Sequence, residues 1–195
     1  MMMVNDNVFN DLIRQIQLHV DQENGMTNQS VHALCTQATR LISVVGGKTV
    51  YQGTFSADKI PISELLRFSS AKEFSLVINL QKSVDVSKQP TGHFVTVIGC
   101  PEYTLYIDPF GLPCIQENVR DFLFKRQLPV YYSSSVIQES MSVFCGLYCL
   151  LFISYFYQWP RWNLKFETDT KKLKMNDDLC LYYLNKLFSS YDEFC

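Results

Sequence analysis

Apolar residues recur at the spacing of a helix face near the start of the chain. Phe9, Leu12, Ile13, Ile16 and Val20 alternate with Asp11, Arg14, Gln15 and Gln17, which predicts an amphipathic helix over residues 8–20. Asn24-Gly25 reads as a break, and a second helix is expected over 30–44, with Ser30 as its N-cap and Gly46-Gly47 as its end. The pattern then turns β-prone. Residues 49–51 form a short β-prone piece, and Ser56-Ala57-Asp58-Lys59 reads as a turn before a short helix at 61–67. A strand is expected at 74–80, followed by a polar connection over 82–92 that contains Pro90. The β-branched run 93–99, the turn at Pro101-Glu102 and the returning strand 103–107 read as an antiparallel hairpin. A helix at 116–125 and a Tyr- and Ser-rich strand at 130–137 follow. Residues 143–158 are apolar nearly all round, as expected of a helix buried in a domain, with Pro160 to end it. A last amphipathic helix is expected over 177–189, with Leu179, Tyr182, Tyr183 and Leu187 on one side. With no repeat, low-complexity tract or long linker, this is one α+β domain over 1–195, its first 45 residues a helical N-terminal part.

The run from Ser140 to Pro160 carries no charge and approaches the length of a spanning helix. Ser140, Ser142, Gly146, Ser154, Gln158 and the closing proline favour a buried core helix over a membrane span. A net charge of −2 gives no push toward nucleic acid or an anionic membrane. The lysines at 165, 171, 172 and 174 read as a solvated face. The seven cysteines are odd in number and irregularly spaced, and Met-Met-Met-Val-Asn-Asp at the start has no signal-peptide character. Reduced thiols in a compartment inside the cell, and not secretion, are expected. Cys145 and Cys149 can share a helix face, but no second pair at ligand spacing joins them, so no metal is expected.

Cys145 opens the apolar run. With Ser142 read as the N-cap, it sits in the first turn of a helix, where unsatisfied N–H groups and the macrodipole favour a thiolate. Gly146 beside it is read as room for a substrate backbone to approach. Cys149, one turn on, reads as a small buried hydrophobe. His93 opens a strand after Gly92 and is the candidate base, since His19 and His32 fall on helices with solvated or half-packed positions. Asp108 ends the strand paired with the one that His93 begins, so the hairpin brings the two together, where a carboxylate fixes the imidazole tautomer. Gln138, seven positions before Cys145, can donate its side-chain amide to an oxyanion beside the cysteine N–H. Each residue alone has an ordinary structural reading: buried thiol, strand-end histidine, Asp-Pro turn, surface glutamine.

Together, Gly92-His93-Phe94-Val95, Asp108-Pro109-Phe110-Gly111, Gln138 and Cys145-Gly146-Leu147-Tyr148-Cys149 resemble the adenovirus-type processing proteases (adenain) and their relatives in mobile elements and large DNA viruses. The stretch from Tyr51 to Pro61 is similar as well, so the likeness covers roughly residues 50–160. It implies a central mixed sheet flanked by helices, with the nucleophile at the N-terminus of a buried central helix. His93 would be the base, Asp108 the third triad member, Cys145 the nucleophile and Gln138 the oxyanion donor. The family cleaves viral precursor proteins at small, often glycine-containing sites as particles mature. The resemblance thus implies a cysteine endopeptidase acting on polypeptides in the virion and in the nucleus or cytoplasm of a host cell, without a cofactor and as a monomer. The alternatives are a protease for ubiquitin-like conjugates and a catalytically silent binding protein of the same fold. Phe94 stands where Trp is common in the family, and Asp108 where others carry Glu. Gln127 stands where the best-known members carry the cysteine that binds an activating peptide, so covalent peptide activation is not expected. The mildly acidic charge likewise gives no support to DNA as an activator.

Overall fold

The computed structural model describes residues 6–21, 25–44, 50–68, 73–86, 92–157 and 164–189. Two helices come first, α1 (Asp6–Asp21) and α2 (Asn28–Val44), and then β1 (Tyr51–Ser56), α3 (Ile62–Phe68), β2 (Phe74–Asn79) and the short α4 (Ser83–Val86). The chain continues through β3 (Phe94–Gly99), β4 (Thr104–Ile107), α5 (Glu117–Lys125), β5 (Val130–Tyr132), α6 (Cys145–Tyr157) and α7 (Met175–Ser189). The five strands form one sheet in chain order. β1–β2 and β4–β5 are parallel, whereas β2–β3 and β3–β4 are antiparallel, which makes the sheet mixed as expected.

All six residues of β2 and of β3 are buried, because helices cover both faces of the sheet centre. The period of two sends Val77 and Phe94 to one face, where they pack with Leu34 and Leu41 of α2, Leu147 and Leu151 of α6, and Leu184 and Phe188 of α7. Leu76, Ile78, Val95 and Val97 face the other way, onto Leu65 of α3 and Val119, Phe122 and Leu123 of α5. Leu12 and Ile16 place α1 in the first of these cores. The uncharged run forms the 13-residue α6, buried from Cys145 to Leu151. Among the described residues no helix is long and apolar enough to cross a membrane.

Several boundaries differ from expectation for local reasons. α2 begins at Asn28, because Thr27 and not Ser30 caps it: Thr27 Oγ1 accepts the Ser30 N–H at 3.1 Å and Thr27 O accepts the Val31 N–H at 3.0 Å. β1 runs on to Ser56, with a register shift between Tyr51 and Thr54 around Gly53, whose φ of 134° only glycine adopts readily. That bulge breaks the alternation a strand would show. The polar connection hides α4, which is capped from outside: Asp58 accepts both the Ser83 N–H and the Ser83 hydroxyl at 2.7 Å. β5 stops at Tyr132 because the following residues leave the sheet to pack on the turn after β4. The expected boundaries at Asn24, Gly46-Gly47, Thr49 and Pro160 lie outside the described residues.

One buried side chain ties α7 to the loops beside α6. Asn176 is fully buried; its Nδ2 donates to Ile137 O at 2.7 Å and Glu167 O at 2.8 Å, and its Oδ1 accepts the Glu167 N–H at 2.9 Å. Asn176→Ala strands these backbone groups without water, so the unfolding free energy from urea titration is expected to fall by on the order of 3 kcal/mol. A loss under about 0.5 kcal/mol would contradict this role.

Candidate active site

The site grows out of the β3–β4 hairpin. Its antiparallel register, with Thr96 opposite Ile107, puts the residues before β3 beside those after β4. His93 Nε2 accordingly meets Asp108 Oδ1 at 2.8 Å. Asp108 is only 1% exposed, and the same oxygen accepts the Phe110 N–H at 2.8 Å. The carboxylate oxygen accepts, so Nε2 carries a proton and Nδ1 is left for the other side. The Phe110 ring stacks on the imidazole, with centroids 4.5 Å apart and planes 24° apart.

Cys145 lies on that other side. It is the first residue of α6, 6% exposed, and its thiol hydrogen is directed to Gly92 O at 3.5 Å. His93 Nδ1 is buried and takes no hydrogen bond in this resting arrangement, yet the sulfur is close enough to interact with the ring. Burial pulls the His93 pKa down, but the hydrogen bond to Asp108, the contact with Cys145 and the Asp108 charge outweigh it and lift the ring to about 9. Burial pushes Cys35 up to about 12 and Cys149 and Cys180 well above an ordinary thiol, which makes them inert. Cys149 is therefore the structural cysteine it was expected to be.

Gln138 is 1% exposed and held at both ends. Its backbone N–H and that of Ile137 both donate to Pro109 O at 3.0 Å. Its side-chain Nε2 donates to Ser142 O at 2.9 Å and reaches Ser142 Oγ at 3.3 Å. The glutamine is thus joined to the Asp108 turn on one side and to the residues entering α6 on the other.

Two local readings need correction. Ser142 is not the N-cap of α6. Its hydroxyl accepts the Phe144 N–H at 3.2 Å, a turn one step earlier, and Phe144 O accepts the first helical N–H, from Tyr148, at 3.0 Å. Cys145 still falls in the first turn. Gly146 does not face a substrate: a Cβ there would lie 2.8 Å from both Met26 Sδ and Val31 Cγ2, so the glycine lets α6 and the start of α2 approach closely.

Sequence reasoning did not single out four further groups. Ser133 Oγ accepts the Asp108 N–H at 2.9 Å and donates to Asp108 O at 3.1 Å, holding the acid's backbone. Phe110 holds the imidazole face. Gly92 supplies the carbonyl at the thiol and has no room for a side chain, since a Cβ would lie 2.4 Å from Asn79 Oδ1. Asn79, fully buried, donates to Asn28 Oδ1 at 2.8 Å and braces this corner against α2. An asparagine closing the otherwise apolar run Leu76-Val77-Ile78 was the available signal. His32 is exposed on α2, its ring beside Tyr51; the side chain of His19 lies outside the described residues. A cleft of about 940 Å³ opens between β4–β5 and α6, lined by Leu105, Ile107, Tyr131, Phe152 and Phe156, with Asp108 and Ser133 at one end. Among the described residues no His, Cys, Asp and Glu side chains cluster closely enough to hold a metal ion.

No protein-family model matches the chain, and no curated protein matches it. Among solved structures, one described as AvrA delL154 with IP6 and CoA aligns with 77% of this chain and 59% of that one, at 13% identity and a TM-score of 0.43. The chain therefore spans less than two thirds of that protein's length.

The raised His93 pKa links stability to pH. The folded ring binds its proton more tightly than the unfolded one, whose pKa is about 6.5. The contribution is complete below about pH 6.5 and is lost as pH rises through about 9. The urea midpoint of the wild type is expected to fall relative to that of His93→Gln across this window. Parallel midpoint curves would contradict the linkage.

Proposed function

We propose that this chain is a cysteine endopeptidase in which Cys145 is the nucleophile, His93 the base and acid, Asp108 the orienting carboxylate and Gln138 an oxyanion donor. The observation that carries the reading is the His93–Asp108 hydrogen bond at 2.8 Å, with the Cys145 thiol at a helix start directed to the carbonyl of Gly92, the residue before His93, at 3.5 Å. In the mechanism the thiol proton is held on His93 Nδ1 as a thiolate–imidazolium pair, and the sulfur forms a bond to the scissile carbonyl carbon as the carbonyl π pair moves to oxygen. The backbone N–H of Cys145 and one N–H of Gln138 Nε2 receive that oxyanion. Collapse re-forms the carbonyl and breaks the C–N bond, with the leaving amine taking the proton from Nδ1. A water then gives its proton to Nδ1 and attacks the thioester; the acid leaves and the thiol is restored. Asp108 accepts from Nε2–H throughout, which stabilises the imidazolium at each step.

In this reading the substrates are precursor polypeptides of a virus or mobile element, cut at small or glycine-containing sites by a monomeric enzyme. The described cysteines are all free thiols, which suits a reducing compartment. Purified protein is expected to cut a glycine-containing peptide library, read by mass spectrometry. Cys145→Ala and His93→Ala should each lose at least about 10³-fold in kcat/KM. Gln138→Ala should lose about 10²-fold, as expected for one oxyanion donor. Full activity in Cys145→Ala or His93→Ala would sink the assignment.

The leaving-group step needs a protonated ring. The rate should therefore fall as pH rises through about 9, and Asp108→Asn should move that fall to lower pH. An alkaline limb that ignores Asp108→Asn would contradict the role given to the carboxylate.

A further inference from the structure

We infer that Phe110 is a positioning residue for His93, holding the imidazole in the plane that turns Nδ1 toward the thiol. Phe110 touches both members of the pair through different groups. Its N–H donates to Asp108 Oδ1 at 2.8 Å, the oxygen that also accepts from His93 Nε2. Its ring covers one face of the imidazole at 4.5 Å and a 24° tilt. A single hydrogen bond at Nε2 leaves the ring free to swing about the Cβ–Cγ bond, which would carry Nδ1 away from Cys145. A flat partner on one face stops that swing, and it attracts the ring most when the ring is protonated. It also keeps water off that face, where it would compete for the protons in transit.

The partner is itself held firmly. Gly111 adopts φ +64° and its N–H donates to Asp108 O at 2.8 Å, closing the turn. A Cβ on Gly111 would lie 2.9 Å from the Ser135 and Val136 backbone, so the turn is packed against the 133–138 segment. Pro109, whose carbonyl anchors Ile137 and Gln138, has its own φ restricted by the ring. Phe110 is thus presented from a turn with little freedom.

The catalytic consequence rests on the thiol mechanism proposed above; the geometric claim does not. Phe110→Leu keeps the backbone N–H and much of the volume while removing the flat face, and Phe110→Trp restores a flat face. In Phe110→Leu the NMR-detected titration midpoint of a 13C-labelled His93 ring should move to lower pH. Peptide cleavage should lose roughly tenfold in kcat with KM unchanged. Phe110→Trp should recover both. If the wild type cleaves no peptide but the His93 titration moves in Phe110→Leu and recovers in Phe110→Trp, the positioning role stands and the peptidase reading alone is rejected. A His93 titration unchanged in folded Phe110→Leu, whatever its stability, overturns the inference.

Discussion

One carboxylate oxygen organises this site. Asp108 Oδ1 accepts from His93 Nε2 and from the Phe110 backbone, each at 2.8 Å, within a residue only 1% exposed. A buried charge is tolerable only when it is paired and hydrogen-bonded, and the pairing here sets the direction of the His93 ring. Everything that positions Asp108 therefore positions His93. The β3–β4 register brings it to His93, Ser133 fixes its backbone from the segment after β5, and the Pro109 carbonyl carries Gln138 on the same turn. The acid, its histidine and the glutamine are thereby parts of one hydrogen-bonded unit.

The thiol reaches that unit through packing. α6 is apolar on all sides and buried along its first two turns, so its N-terminus is fixed by the core and not by surface contacts. Gly146 permits Met26 and Val31 to pack where a side chain would otherwise stand, which makes the start of α2 part of the wall behind Cys145. From α2, Asn28 reaches Asn79, against which Gly92 packs, and the Gly92 carbonyl takes the thiol hydrogen. The N-terminal helical part thus braces both Cys145 and the strand entry that bears His93.

Much of this was legible in the residues, and the limits follow from range. Hydrophobic period located α1, α2, α5, α6 and α7 to within a few residues, because burial of one face or of all faces repeats along a helix. The hairpin was readable because its turn, its β-branched run and its return strand are adjacent in sequence, and that adjacency is what delivered His93 to Asp108. Features decided by distant partners were hidden. Thr27 competed unseen with Ser30 as a cap; α4 is capped by Asp58 from another segment; β1 crosses a bulge at Gly53 that erases alternation. Gly146 was misjudged for the same reason: a glycine beside a cysteine says that something approaches closely, but only the path of α2 says what. Phe110 lay within a motif noticed for its aspartate, and nothing local assigns its ring to the imidazole.

If His93 and Asp108 activate Cys145 and no other buried thiol, the difference must show in reactivity. It is read most directly as the second-order rate of iodoacetamide alkylation at each of the seven cysteines in the native protein at neutral pH, resolved by peptide mapping. Cys145 is expected to react far faster than Cys35, Cys149 and Cys180, and removing the imidazole is expected to slow Cys145 alone. A Cys145 rate no greater than theirs, or one indifferent to the loss of His93, would contradict that activation.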